Sequence, residues 1–195
     1  GNEWVLNAVE VKHGVGAARA SPGKSVVQLL PLLQQMVAEI RSLCGVTKEV
    51  MLRVHSDIDK SLLGDIEQWV LKQPGVRTTT EGYDHDGNAY VESRNAKMKQ
   101  TMRACLLGAT GGRKQFEELA IPACIHALTS FNYLEEAGEM SPLQKWGGPK
   151  VQLDDIQGVF GAMVKYYESS ERRQGTTDMP VAIGVYLGRS HRVSG

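Results

Sequence analysis

Segments with strand periodicity alternate with segments of helical periodicity along the first 133 residues, and this alternation constrains the fold more than any other feature. Short runs of apolar and β-branched residues predict strands, and apolar residues at intervals of three and four predict helices. The predicted strands are Trp4–Val11, Val15–Ala20, Val50–Val54 and Val76–Thr80. The predicted helices are Ser25–Cys44, Leu62–Lys72, Tyr90–Leu107 and Gln115–Tyr133. This order is typical of an α/β layer fold.

Three regions follow from where the pattern changes. Residues 1–135 hold the alternating elements, residues 136–151 are polar and rich in Gly and Pro, and residues 152–195 contain two further strand-like runs, Val159–Tyr167 and Val181–Leu187. We therefore expect a main domain, a linker and a small β annex. A single hairpin is marginally stable by itself. Within the first helical pattern, Pro31 predicts a kink or a later helix start.

Charge and cysteine content exclude some classes of protein. Lys+Arg and Asp+Glu both number 22, so any basic surface that binds nucleic acid has to be local. The three cysteines (Cys44, Cys105 and Cys124) fit no metal-binding spacing and predict buried free thiols in a reducing compartment. No apolar run approaches the roughly 20 residues of a membrane span, and the N-terminus lacks a signal-peptide pattern.

Two acidic residues stand where strand and helix patterns meet. Asp57 follows the strand-like run Val50–Val54, and Glu92 stands at the start of a predicted helix. A carboxylate at a strand end and one on a helix face can meet at a divalent metal, as phosphodiester chemistry requires. The alternative is local, because Ser56-Asp57 can cap the next helix and a lone His55 is more often a packed residue than a ligand.

The helix that Glu92 leads has two distinct faces. Its apolar face consists of Val91, Met98, Met102 and Cys105. Its polar face consists of Glu92, Asn95, Lys99 and Arg103. We predict that Glu92 binds metal and that the other three contact DNA phosphates, with Arg94 and Lys97 to the sides as further DNA-binding residues. The alternative is an ordinary solvated helix surface.

Several short motifs occur in an order that is more specific than any one of them. The core set is Arg53-Val54-His55-Ser56-Asp57, Thr78–Asp84, Gly87-Asn88 and Glu92. The downstream set is Phe131-Asn132-Tyr133, Ser141–Trp146, Phe160-Gly161-Ala162 and Gly184–Gly188. Together they resemble the integrase catalytic core of long-terminal-repeat retrotransposon Pol polyproteins, and most closely the copia-type branch.

The resemblance implies a ribonuclease-H-like mixed sheet flanked by helices, with a small C-terminal β annex. It also implies DNA integration by divalent-metal-dependent strand transfer on double-stranded DNA. Asp57 and Glu92 match the second and third of three catalytic acids that hold Mg²⁺ (or Mn²⁺), and Asn95 and Lys99 match helix positions that face DNA. The location implied is intracellular, in nucleus or cytoplasm, and a homo-oligomer is compatible with the family.

The sequence also departs from the family. The first acid belongs to a strand that precedes the one matching Trp4–Val11, and that strand is missing from this sequence. We therefore expect little or no strand transfer from the chain as given. One alternative is a non-catalytic DNA-binding or assembly module on the same fold, and another is an unrelated α/β domain. Five basic residues of the annex could contact nucleic acid, although a solvated hairpin is favoured: Arg172, Arg173, Arg189, His191 and Arg192.

Overall fold

The structure is a computed structural model, and it describes residues 4–46, 52–56, 64–73, 75–79, 89–111, 118–134, 138–148, 150, 158–167 and 181–188. At 52–56 and 75–79 it describes the backbone. The strands are β1 (Trp4–Val9), β2 (Gly16–Ser21), β3 (Leu52–Ser56), β4 (Gly75–Thr79), β5 (Met163–Tyr167) and β6 (Val181–Val185). The helices are α1 (Val26–Leu43), α2 (Asp65–Lys72), α3 (Ala89–Thr110), α4 (Ala120–Ser130) and α5 (Pro142–Lys145).

The hairpin of β1 and β2 forms the middle layer. The strands pair antiparallel from Trp4 opposite Ser21 to Val9 opposite Gly16. The Glu10 carboxylate organises the turn, because it accepts hydrogen bonds from the backbone N–H groups of Lys12 and His13 at 2.7 and 2.8 Å. Successive residues of a strand point to opposite faces, so both faces of β2 are available for packing.

Helices cover both faces of this hairpin. On one face Ala17 packs with Leu33 and Met36 of α1 and Ile66 of α2. On the other face Ala18 packs with Met98 of α3 and with α4 residues Cys124, Ala127 and Leu128. The alanines of β2 let both helical layers approach the strand closely. The predicted combination of helices and strands is therefore confirmed, whereas a single mixed sheet stays a prediction.

Helix α1 contains Pro31 and nevertheless begins at Val26, so the predicted later start is wrong. Proline removes one helical N–H, here the donor to the carbonyl of Val27. Val27 lies in the exposed first turn, where water can bond to the carbonyl. Leu29, Leu33 and Met36 are buried, and this packing outweighs the loss of one hydrogen bond near the helix end.

Strands β3 and β4 pair in parallel, with Leu52 opposite Gly75 and Ser56 opposite Thr79. Helix α2 connects them and packs against β4, as parallel pairing requires a crossover. The strands described form three two-stranded sheets: β1–β2, β3–β4 and β5–β6. Among the helices of the described ranges, none has the length and apolarity needed to cross a membrane.

A short helix lies inside the region predicted to be a linker. Helix α5 begins with a capping box, in which Ser141 N–H donates to Gln144 Oε1 at 2.8 Å and Gln144 N–H donates to Ser141 Oγ at 3.4 Å. Ser141 and Leu143 are buried, and Leu143 N–H donates to the carbonyl of Asn132 at 3.1 Å. The three-region division stays a prediction.

The cysteines are free thiols. Cys124 is buried, and Cys44 and Cys105 are half-buried. Burial raises the pKa of all three thiols, and for Cys44 burial followed by the nearby Glu10 carboxylate raises it to about 11. Protonated thiols are weak nucleophiles, and Cys124 packs in the core with Met98 and Leu128.

Candidate functional site

The structure describes helix α3, which contains Glu92, and strand β3, which precedes Asp57 in the sequence. Strand β3 ends at Ser56, immediately before Asp57. Asp57 itself, the cap proposed for it and the polar loop before α3 lie outside the described residues. The placement of Asp57 and the distance between its carboxylate and that of Glu92 stay predictions.

Glu92 lies in the first turn of α3, and its side chain is exposed. The positive end of the helix dipole favours an acid in this position. This effect explains Glu92 by helix stability alone. The carboxylate is also open to a ligand. Lys99 and Arg103 are exposed on the same side of the helix, seven and eleven residues further on. Below, the term polar face is restricted to the three exposed members, Glu92, Lys99 and Arg103, because the fourth predicted member, Asn95, is half-buried.

Asn95 occupies the boundary between this polar face and the core. Its Oδ1 accepts a hydrogen bond from Nδ2 of Asn7 on β1. On the buried side, Met98 packs in the core with Met102 beside it. The burial of Met98 and the Asn7–Asn95 bond together orient α3 against the hairpin with the polar face outward. A DNA contact through the Asn95 side chain would have to compete with this bond.

Arg94 and Lys97 lie on a different side of α3. Both line a cavity of about 250 Å³, together with Tyr90, His13 of the β1–β2 turn and Lys145 of α5. The Arg94 guanidinium carbon lies 5.2 Å from the centre of the Phe131 ring, a cation–π distance. Four of the five predicted DNA-binding residues thus divide between two surfaces, Lys99 and Arg103 on the polar face and Arg94 and Lys97 at the cavity, whereas Asn95 is bonded to β1.

Sequence reasoning did not assign a role to Asn132, which is completely buried. Its Oδ1 accepts a hydrogen bond from Gly16 N–H and its Nδ2 donates to Gly16 O, each at 2.7 Å. Nearby, Trp146 Nε1 donates to Glu10 Oε2 at 3.3 Å, and its ring lies 4.4 Å from that of His13. In the sequence, the only sign of this role of Asn132 is that a polar residue closely follows an apolar helical segment. These contacts fasten the segment after α4 to the hairpin.

The part of the chain that the structure describes contains no group of three His, Cys, Asp or Glu side chains that could hold a metal ion. Within this part, Glu92 provides a suitable donor, because Mg²⁺ and Mn²⁺ prefer carboxylate oxygen ligands. Asp57 would provide the second carboxylate. The donor chemistry therefore fits a hard divalent cation, with both ligands taken from the predicted pair.

Comparison with known proteins gives structural matches. No family model matches the sequence, and no curated protein matches it. The catalytic core domain of BIV integrase is 19% identical, with a TM-score of 0.53 over 73% of this chain and 84% of that chain. The HTLV-2 integrase catalytic core domain, in a trimeric form in complex with magnesium, is 15% identical, with a TM-score of 0.51 over 72% and 82%.

A third match is a simian T-cell lymphotropic virus intasome in complex with the PP2A regulatory subunit B56 gamma. It is 13% identical, with a TM-score of 0.54 over 93% of this chain and 60% of that chain. At these identities the likeness is one of fold. The chain therefore has the fold of retroviral integrase catalytic cores.

Proposed function

We propose that the chain is the catalytic core of a retroelement integrase, which joins DNA ends to a target duplex by divalent-metal-dependent strand transfer. The retroelement we infer is a long-terminal-repeat retrotransposon of the copia type, with the integrase encoded in a polyprotein. The fold we infer is ribonuclease-H-like, in which a mixed sheet contains both antiparallel and parallel strand pairs. We place its action inside the cell, in nucleus or cytoplasm.

The observation that carries this proposal is the exposed Glu92 carboxylate on a helix of an integrase-core fold. Lys99 and Arg103 follow on the same exposed face. Basic side chains in this position would hold the phosphates of a duplex whose reacting phosphodiester lies near Glu92. The neutral overall charge of the chain agrees with a local rather than a global basic surface.

Asp57 and Glu92 would hold Mg²⁺ or Mn²⁺, and the metal would activate the attacking hydroxyl and stabilise the leaving oxygen. The resemblance implies that the first of the three acids belongs to a strand upstream of β1. Two carboxylates neutralise less of the charge of a metal pair than three do, and the chain as given should therefore bind metal weakly. We expect little or no strand transfer from it.

The test is strand transfer on a short duplex with Mg²⁺ or Mn²⁺, measured for the chain and for the gene product extended upstream. We expect the extended protein to gain activity that Glu92→Gln abolishes, because the amide lacks the negative charge that binds the metal. Glu67→Gln is the matched control, since Glu67 is an exposed acid in the first turn of α2. Equal activity of wild type and Glu92→Gln would remove Glu92 from the mechanism.

A second candidate is a non-catalytic DNA-binding or assembly module, which the exposed Lys99 and Arg103 also favour. It predicts salt-sensitive duplex binding that does not depend on Mg²⁺. Removing one phosphate contact should reduce the slope of log affinity against log salt by about 1. Lys99→Ala and Arg103→Ala should each do this in either candidate. Metal-independent binding without strand transfer by the extended protein would favour the module.

A further inference from the structure

Helix α3, which contains Glu92, buries little of its own surface. The structure describes all 22 of its residues, and Met98 is the one among them that is buried. Met102 packs beside it in the same core cluster. The apolar stripe of a helix determines which side faces the core. A stripe as narrow as that of α3 leaves the exact rotation of the helix to its other contacts.

Polar side chains connect α3 to the β1–β2 hairpin in two places. Tyr90 and Arg94 reach the turn, where a Cβ on Gly14 would lie 2.7 Å from Tyr90 Oη and 3.3 Å from Arg94 Nη1. These atoms are the ends of long side chains, which can adapt to a small rotation of the helix. The second connection is the Asn7–Asn95 hydrogen bond. It joins two short side chains and therefore restrains the rotation more closely.

The Asn7–Asn95 bond lies one helical turn from Glu92. Residues three apart, such as Glu92 and Asn95, share a side of a helix. Side chains extend to about 5–6 Å from the helix axis, so a rotation of about 10° moves the Glu92 carboxylate by about 1 Å. A shift of this size is large for a metal ligand, because Mg²⁺ requires near-ideal octahedral geometry with oxygen ligands at about 2.0–2.1 Å.

We propose that Asn7 is a positioning residue for Glu92, because its bond to Asn95 sets the rotation of α3 at which the Glu92 carboxylate binds metal. This inference rests on the proposed integrase function. It gives a role to a strand residue that lies outside all the sequence motifs. The role is exerted through Asn95, without contact between Asn7 and the metal or DNA. The bond contributes little to stability because it is half-buried, whereas catalysis depends on the position it sets.

The experiment compares Asn7→Leu with Asn7→Asp in the gene product extended upstream, by strand-transfer kinetics over a range of Mg²⁺ concentrations. Leucine has the same branched shape as asparagine and no donor, so Asn95 Oδ1 would face an apolar group unless α3 rotates. We expect kcat to fall about tenfold and the half-saturating Mg²⁺ concentration to rise, with KM for DNA nearly unchanged. Aspartate can accept a hydrogen bond from the Asn95 amide once that amide turns over, so Asn7→Asp should keep most of the activity.

Val5→Ala is the matched control. Val5 lies on the same face of β1 as Asn7, and it packs on the core cluster that contains Met98. Its variant should lower Tm and leave kcat and the Mg²⁺ requirement as in wild type, whereas Asn7→Leu should show the opposite pattern. Wild-type kcat for Asn7→Leu, in a protein whose activity Glu92→Gln abolishes, would overturn the proposal. Equal losses of kcat in Asn7→Leu and Asn7→Asp would also overturn it.

Crystal structures of the chain and of its Asn7→Leu variant keep this inference separate from the fate of the integrase proposal. We expect α3 to be rotated in the variant, with the Glu92 carboxylate displaced by about 1 Å or more relative to the hairpin. An unmoved Glu92 would overturn the inference whatever the activity of the extended protein. A rotated α3 together with an extended protein that lacks strand transfer would support the positional role of Asn7 and count against the integrase proposal alone.

Discussion

Replacing Asn132 with alanine tests how the segment after α4 is held. The side chain bonds both the N–H and the C=O of Gly16, and Asn132 and Gly16 are both buried. Alanine leaves a donor and an acceptor without partners, and each such group costs about 1–3 kcal/mol. We expect a loss of about 3 kcal/mol, because the small cavity left behind admits some hydration of these groups.

The assay is urea denaturation, together with a thermal melt in which this loss lowers Tm by roughly 6–12 °C for a chain of this size. Asn95→Ala is the matched control. It removes a half-buried hydrogen bond between two side chains, and the Asn7 amide left behind can turn to water. The free energy of unfolding should therefore fall by less than about 1 kcal/mol. Equal losses in the two variants, or a loss under about 1 kcal/mol for Asn132→Ala, would refute this reasoning.

Three further predictions concern stability. Burial lowers the pKa of His126 from its usual 6.5, so below about pH 6.5 the unfolded chain binds a proton more readily than the folded chain does. We therefore expect Tm to fall as the pH is lowered through this range. The fall in Tm should be smaller for His126→Phe, which cannot bind the proton. Gly161 has a φ of +82°, and the Cβ that Gly161→Ala adds there would overlap α3, so we expect the free energy of unfolding in urea denaturation to fall by at least about 2 kcal/mol. Gly45 has a φ of +63° but lies in open space, so Gly45→Ala should lower the free energy of unfolding by only about 1 kcal/mol. The buried Glu39 carboxylate lies 2.5 Å from the guanidinium of Arg19, whose side chain is about a quarter exposed. Because Arg19→Met leaves this carboxylate buried without its cation, we expect the free energy of unfolding to fall by about 2 kcal/mol. Adding Glu39→Gln should recover most of this loss.

The local elements were predictable because each depends on nearby residues. Apolar spacing in α3 separates the buried Met98 from the exposed Lys99 and Arg103, as the sequence predicts. Val159–Tyr167 and Val181–Leu187 contain the two strands of the annex. Helix α1 spans Val26–Leu43, as the periodicity of Ser25–Cys44 predicts, and of the two alternatives at Pro31 the later start is wrong because tertiary packing of α1 is worth more than one hydrogen bond.

The site was predictable in part for the same reason. The exposed position of Glu92 on α3 follows from helical periodicity, whereas its distance from Asp57 depends on how separate elements are arranged. The role of Asn132 depends on Gly16, 116 residues earlier, and no spacing rule connects them. The division of Arg94 from Arg103 follows from packing against Phe131, which likewise lies on another element.

The bonds between the hairpin and the segment after α4 have a kinetic consequence. Gly16 and Asn132 are 116 residues apart, and Glu10 and Trp146 are 136 residues apart. Closing loops of this length costs conformational entropy, and the bonds that offset this cost form only when the distant segment is in place. On a ribosome that adds residues from the N-terminus, the hairpin emerges before α4, and its buried Gly16 groups find their partner only after a further 116 residues have been made. We expect this step to come late in folding and to leave the earlier intermediate open to association with other chains.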